Sequence, residues 1–170
     1  KRTGVQRQAM QDKVPQARVY MVWNTSEWGT EDDELLGLAA GVLAGGKSSP
    51  LYKRLVYDER IATDISAYQS SGELGGQFSV IASAVPGGDL GKVEQAIHEE
   101  LARFLKKGPS ADEVGRARTP RLAGFVRAVE KVGGYSAGGF FGKADILARS
   151  QVFGGRPDFY RTLLERVRKA

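Results

Sequence analysis

The chain has 170 residues, of which 41% are hydrophobic and 26% charged, with no cysteine, one histidine and a formal net charge of +5. This is one domain's worth of chain, long enough to bury a core without cross-links, and its composition is that of a globular protein. It excludes a disulfide framework, thiolate metal sites and a cysteine nucleophile, and no apolar run approaches the roughly 20 residues of a membrane span.

In chain order, residues 1–16 are polar and weakly patterned and read as a linker or arm, with residues 17–170 as a single domain. Because the chain begins at Lys1 without a methionine or a signal-peptide apolar segment, we expect a fragment of a longer protein. Lack of cysteine fits cytoplasm and periplasm alike, with the periplasm slightly favoured.

Residues 17–24 alternate as a strand, with Val19, Met21 and Trp23 on the buried side. Thr30-Glu31-Asp32-Asp33 opens a helix carrying Leu35, Leu36, Leu38, Ala39, Val42 and Leu43, and Gly45-Gly46 stops it. A short helix is expected over 48–58, with Pro50 early in it. Strands over 61–70 and 76–85 form an antiparallel hairpin, with Ile61, Thr63, Ile65 and Ala67 sharing one face and Phe78, Val80, Ala82 and Ala84 another.

Asp89 caps a helix with Leu90, Val93, Ile97, Leu101, Phe104 and Leu105 on its apolar side, ending at Lys106-Lys107-Gly108. Ser110-Ala111-Asp112-Glu113 is a capping box for a helix that Pro120 should kink or break. Gly133-Gly134 and Gly138-Gly139 bracket a flexible patch before a helix near 141–152, and Arg156-Pro157-Asp158 introduces a last helix with Phe159, Leu163, Leu164 and Val167. The order predicts an α+β fold, an antiparallel sheet with helices on one face.

The basic residues gather in 103–131 and 156–169, where they alternate with apolar residues as on the solvated face of amphipathic helices. No aromatic-interleaved basic patch points to nucleic acid. Gly41 to Ser48 spells GxxxxGK[ST], the phosphate-loop pattern. That mechanism needs a preceding strand, whereas residues 31–43 have a helical period, so the N–H groups of the loop's first half are already bonded. His98 is the only imidazole and position 102 is alanine, so no two-histidine zinc helix can form, and His98 reads as a half-exposed helix residue beside carboxylates. The adjacent pairs Asp58/Glu59 and Glu99/Glu100 read as solvated faces rather than acid/base pairs. By residue chemistry alone the domain is not catalytic.

Gly45-Gly46-Lys47-Ser48-Ser49-Pro50-Leu51-Tyr52, followed by Leu55, Asp58-Glu59 and Ile61-Ala62, resembles the "GGxSSRLY…LRxExGLAY" stretch of the M16 metallopeptidases, which include insulinase, pitrilysin and the mitochondrial processing peptidase. The similarity extends over about residues 16–169: Thr30–Leu43 resembles the family's helix before its glycine turn, Pro109–Arg118 its "lteeElerAk", and Gly133-Gly134 through Gly154-Gly155-Arg156-Pro157-Asp158-Phe159-Tyr160 its tail ending in "GdPdyy". The resemblance implies a C-terminal, non-metal domain of a peptide-enclosing chamber, with an M16-like α+β fold. A homologous catalytic domain, in the same chain or a partner subunit, would carry zinc on an HxxEH motif and hydrolyse the peptide.

Some such domains contribute an Arg and a Tyr to that distant site. Carried over, these positions fall on Val56 and Thr63, neither of which can do what a guanidinium or a phenol does. Arg54, Arg60 and Tyr68 are out of register with the pattern. In the processing peptidase a longer glycine-rich loop touches substrate, and Gly45, Gly46, Lys47, Ser48 and Ser49 resemble a shortened form, which makes them the candidate substrate-binding residues. The expectation is a catalytically inactive, metal-free wall domain that assists peptide binding; the alternative is a purely structural domain without substrate contact.

Overall fold

The computed structural model describes residues 4–131, 135–136, 139–140 and 142–170. Its centre is a three-stranded antiparallel sheet of β1 (Arg18–Thr25), β2 (Ala62–Ser71) and β3 (Gly76–Ala84), in the order β1-β3-β2. The hairpin places β2 beside β3 as expected, and β1 pairs on the other side of β3, so the last strand of the three is the central one. One sheet face is covered by helices; the other carries Tyr20, Val22 and Tyr68, all exposed.

Helix α1 (Glu31–Ala44) lies over β2. Its start is fixed by the Thr30 hydroxyl, which accepts from the Asp33 N–H, with four acidic residues in the first turn to meet the helix dipole. A single turn, α2 (Pro50–Tyr52), runs directly into a π-helical turn, Lys53–Asp58. Helix α3 (Leu90–Lys107) lies against β1 and β3, with the side chain of Asp89 accepting from the Gly91 N–H at its start. Leu43, Leu51, Leu55, Ile65, Val80, Val93 and Ile97 are the heart of the core these elements enclose.

Helices α4 (Ala111–Glu130), α5 (Lys143–Gly154) and α6 (Tyr160–Lys169) form an outer layer, in which α4 and α6 pack on the back of α1. Two-residue strands β4 (Tyr135–Ser136) and β5 (Gly139–Phe140) pair antiparallel between α4 and α5. Gly133, Gly134 and Gly138 of the expected flexible patch lie outside the described residues.

Three expectations need correction. Thr63 does not share a face with Ile65: the register shifts between Ala62 and Asp64, so Thr63 is the extra residue of a β-bulge and is exposed, while Ala62 turns into the core. Leu105 is 84% exposed, because at 100° per residue it stands about 80° round α3 from Ile97. Of the kink or break expected at Pro120, the break does not occur, since α4 runs on through it. Arg116, whose carbonyl loses its donor, and Pro120 are both exposed, and water can satisfy the freed group.

The capping box of α4 is complete: the Glu113 N–H donates to the Ser110 hydroxyl, and the Ser110 N–H and hydroxyl both reach the Glu113 carboxylate at 2.8 Å. The Ser110 backbone bond is the main cause that holds the Glu113 carboxyl below its ordinary value of 4.5, followed by the hydroxyl bond. A lowered folded-state pKa gives stability that is complete above the ordinary value and is lost as pH falls through the lowered one. Ser110→Ala should therefore cost about 1 kcal/mol at neutral pH. The difference between wild type and Glu113→Gln in urea unfolding should shrink as the pH is brought below 4.5; a constant difference would contradict the box.

Candidate functional site

The glycine turn between α1 and α2 is tightly wound. The Gly45 N–H donates to the Gly41 carbonyl at 2.8 Å, and a side-chain carbon at Gly45 would stand 2.1 Å from that oxygen, so only glycine can close the helix this way. Gly46 follows with φ +108°, a region favoured by glycine. The hydroxyl and N–H of Ser49 both donate to the Gly46 carbonyl, at 2.6 and 3.1 Å. Ser49 is thereby buried and acts as the inner fastening of the turn, while Gly45, Gly46, Lys47 and Ser48 stay at the surface.

Beneath the turn lies a depression of only about 20 Å³ bordered by Glu113, Arg116 and Ala117 of α4. It can admit about one water and no phosphate. Gly41 to Ala44 form the last turn of α1, so the phosphate-loop lettering has no phosphate-binding geometry behind it.

The π-helical turn that follows is pinned by Arg54. Its Nε donates to Glu59 Oε1 at 2.6 Å, its Nη2 to Glu99 of α3, and its Nη1 to the Ala96 carbonyl at 3.4 Å. Glu100 Oε1 stands 3.6 Å from Nη1 and its other oxygen accepts from Arg103 at 2.9 Å. Glu59 is the first cause of a raised Arg54 pKa and Glu99 the second. In return Arg54, then Gln95, holds the Glu99 carboxyl below its ordinary value.

The reading of Glu99/Glu100 as a solvated face is thus corrected, since Glu100 is only 7% exposed and paired. Sequence reasoning missed this cluster because its members are 45 residues apart, though the three-residue spacing of Glu100 and Arg103 on α3 was visible.

The two positions at which the M16 pattern has Arg and Tyr are not brought together as a site. Val56 packs half-buried against the core, and the exposed Thr63 holds its hydroxyl within 3.3 Å of Gln16 Oε1 and 3.4 Å of the Ser83 carbonyl. Arg60, at the glycine of that pattern, has φ +53°. His98 lies half-exposed on α3 with Nε2 3.5 Å from Glu94 Oε1. Among the described residues no three His, Asp or Glu side chains are grouped to hold a metal ion, so the donor set there does not fit zinc.

Comparison with known proteins places these features in a family. The model of the peptidase M16 inactive domain matches residues 1–120. The structure is similar to the inactive peptidase domain of a candidate zinc protease from Bordetella parapertussis, with a TM-score of 0.73, 25% identity, and 90% of this chain and 76% of that one covered. A protease from Helicobacter pylori gives 0.75 at 18% identity, covering 92% of this chain but 36% of its own length. A peptidase M16 inactive domain from Pseudomonas fluorescens gives 0.71 at 14% identity, covering 91% and 35%. This chain therefore spans about a third of the length of two of these proteins. No curated protein sequence matches.

Two substitutions test the local geometry. Arg54→Ala should lower stability by about 1–2 kcal/mol, an estimate that discounts the exposed partners. Its effect should shrink as the pH is lowered from neutrality past the ordinary carboxylate value, because the contribution of Glu99 is lost as pH falls through its lowered pKa. Arg60→Gly should raise stability by about 0.5–1 kcal/mol through relief of the left-handed backbone. Urea titrations of both variants provide the check.

Proposed function

The chain belongs to the inactive-domain family of M16 peptidases, and from that premise we propose that it forms part of the wall of a peptide-enclosing chamber and helps to hold extended peptide while a homologous domain hydrolyses it. The zinc belongs to that other domain, in the same polypeptide or in a partner subunit. Peptide is held by backbone and apolar contacts, with no proton transfer from this chain.

The observation that carries this reading is the glycine turn: Gly45, Gly46, Lys47 and Ser48 are exposed on a base made rigid by Ser49 and the Arg54 cluster. The Lys47 ammonium can meet a peptide carboxylate or carbonyl, and at Gly46, where a side-chain carbon would meet nothing within 4 Å, the absence of a side chain lets a second backbone approach. Val56 and Thr63 support the inactive part of the reading, since neither side chain supplies a charge or a phenol.

A purely structural role is the second reading, favoured by the same turn's internal bonds, which commit Gly45 and Ser49 to holding α1 and α2 together. In the assembly with the zinc-bearing domain, Lys47→Ala combined with Ser48→Tyr should raise KM for an unfolded peptide by about threefold or more while kcat stays close to wild type, the mark of lost binding rather than lost chemistry. An unchanged KM would decide for the structural reading.

A further inference from the structure

The outer helices do not close completely on one another. Between α4, α5 and α6 lies a half-open groove of about 550 Å³ with Leu122, Phe125, Leu163, Leu164 and Val167 in its walls. At its inner end Arg121 donates to the Glu34 carboxylate of α1 at 2.6 Å, so the polar groups there are already satisfied. Arg127 and Lys131 also line the groove. Arg127 lies in the last turn of α4 and Lys131 is the residue that ends it; both are exposed, and among the described residues neither takes part in an ion pair. The groove thus combines an apolar floor with two uncompensated cations.

We propose that this groove is a docking site for an amphipathic helix of a partner polypeptide, with apolar residues on one face and Asp or Glu along its flank. The walls argue for a helix. Leu122 and Phe125 on α4, and Leu163, Leu164 and Val167 on α6, recur at the three- and four-residue spacing whose ridges accept the ridges of a third helix. The cations set the flank: acidic residues beside the apolar stripe would meet Arg127 and Lys131 on seating, whereas a basic flank would be repelled. This surface belongs to the outer helical layer and does not use the glycine turn, so it stands or falls apart from the peptide-holding reading.

The test uses the 170-residue chain and two fluorescein-labelled peptides of about 18 residues, five helical turns, with identical leucines at i, i+3, i+4 and i+7 and either glutamates or lysines on the flank. Fluorescence anisotropy should show the glutamate peptide binding about tenfold more tightly or better, with the preference weakened at about 0.5 M salt. Arg127→Glu with Lys131→Glu should reverse the preference, with a small loss of thermal stability because acidic residues then stand at the C-terminal end of α4, while the uncharged pair Arg127→Gln with Lys131→Gln should abolish the preference. The proposal is overturned by equal affinities, by no binding at about 100 µM peptide, or by a preference that survives charge reversal. It is also overturned by sedimentation that shows a dimer of the chain which the Arg127 and Lys131 substitutions dissociate, since a second copy would then cover the groove.

Discussion

Helix α1 must be buried on both sides, and the rest of the structure follows from that constraint. One side covers β2 and the other receives α4 and α6, so the helix is apolar nearly all round, as buried helices are. Close approach of α4 needs small residues: a side-chain carbon at Gly41 would stand 3.2 Å from the Ala117 Cβ, and one at Gly37 would strike the Arg121 guanidinium. The carboxylates in its first turn, stabilising at a helix start, must then be satisfied under cover. Arg121 answers Glu34, and Gln69 and the Gly29 N–H answer Asp33. Removing either partner would leave a buried charge, which costs far more than the pair contributes.

The end of α1 carries the constraint onward. The helix stops at the surface, and the turn that follows takes up two of its last carbonyls internally, Gly41 from the Gly45 N–H and Ala44 from the Gly46 N–H. The same turn launches Leu51 and Leu55, which are completely buried, into the centre of the core. The candidate surface residues Lys47 and Ser48 are therefore the outer side of a piece whose inner side is among the best-packed parts of the molecule.

Local chemistry was legible in the sequence and long-range geometry was not. Thr30, Asp89 and Ser110 announce their helices because a cap acts within three residues, and the β2–β3 hairpin follows from alternation and a turn. The position of β1 beside β3 has no local signal. The bulge at Thr63 depends on β2 having to match β3 while leaving the π-helical turn, which a period of two cannot disclose. At the candidate site, Gly45 and Gly46 read correctly as a helix stop. The inward commitment of Ser49 and the convergence of Arg54, Glu59 and Glu99 required the fold.

The π-helical turn at Lys53–Asp58 and the bulge at Thr63 each hold one residue more than regular geometry allows. The first alters the direction of side chains in the helical turn and the second that of side chains at the start of β2. Side-chain direction there is set by where the extra residues are absorbed, since a shift of one position turns a helical side chain by about 100° and a strand side chain to the opposite face. Motif letters in this segment thus do not translate directly into directions in space: reinstating an arginine at Val56 would drive a charge toward the core. For an engineer seeking to return chemistry to this fold, the winding of the segment has to be redesigned before its alphabet.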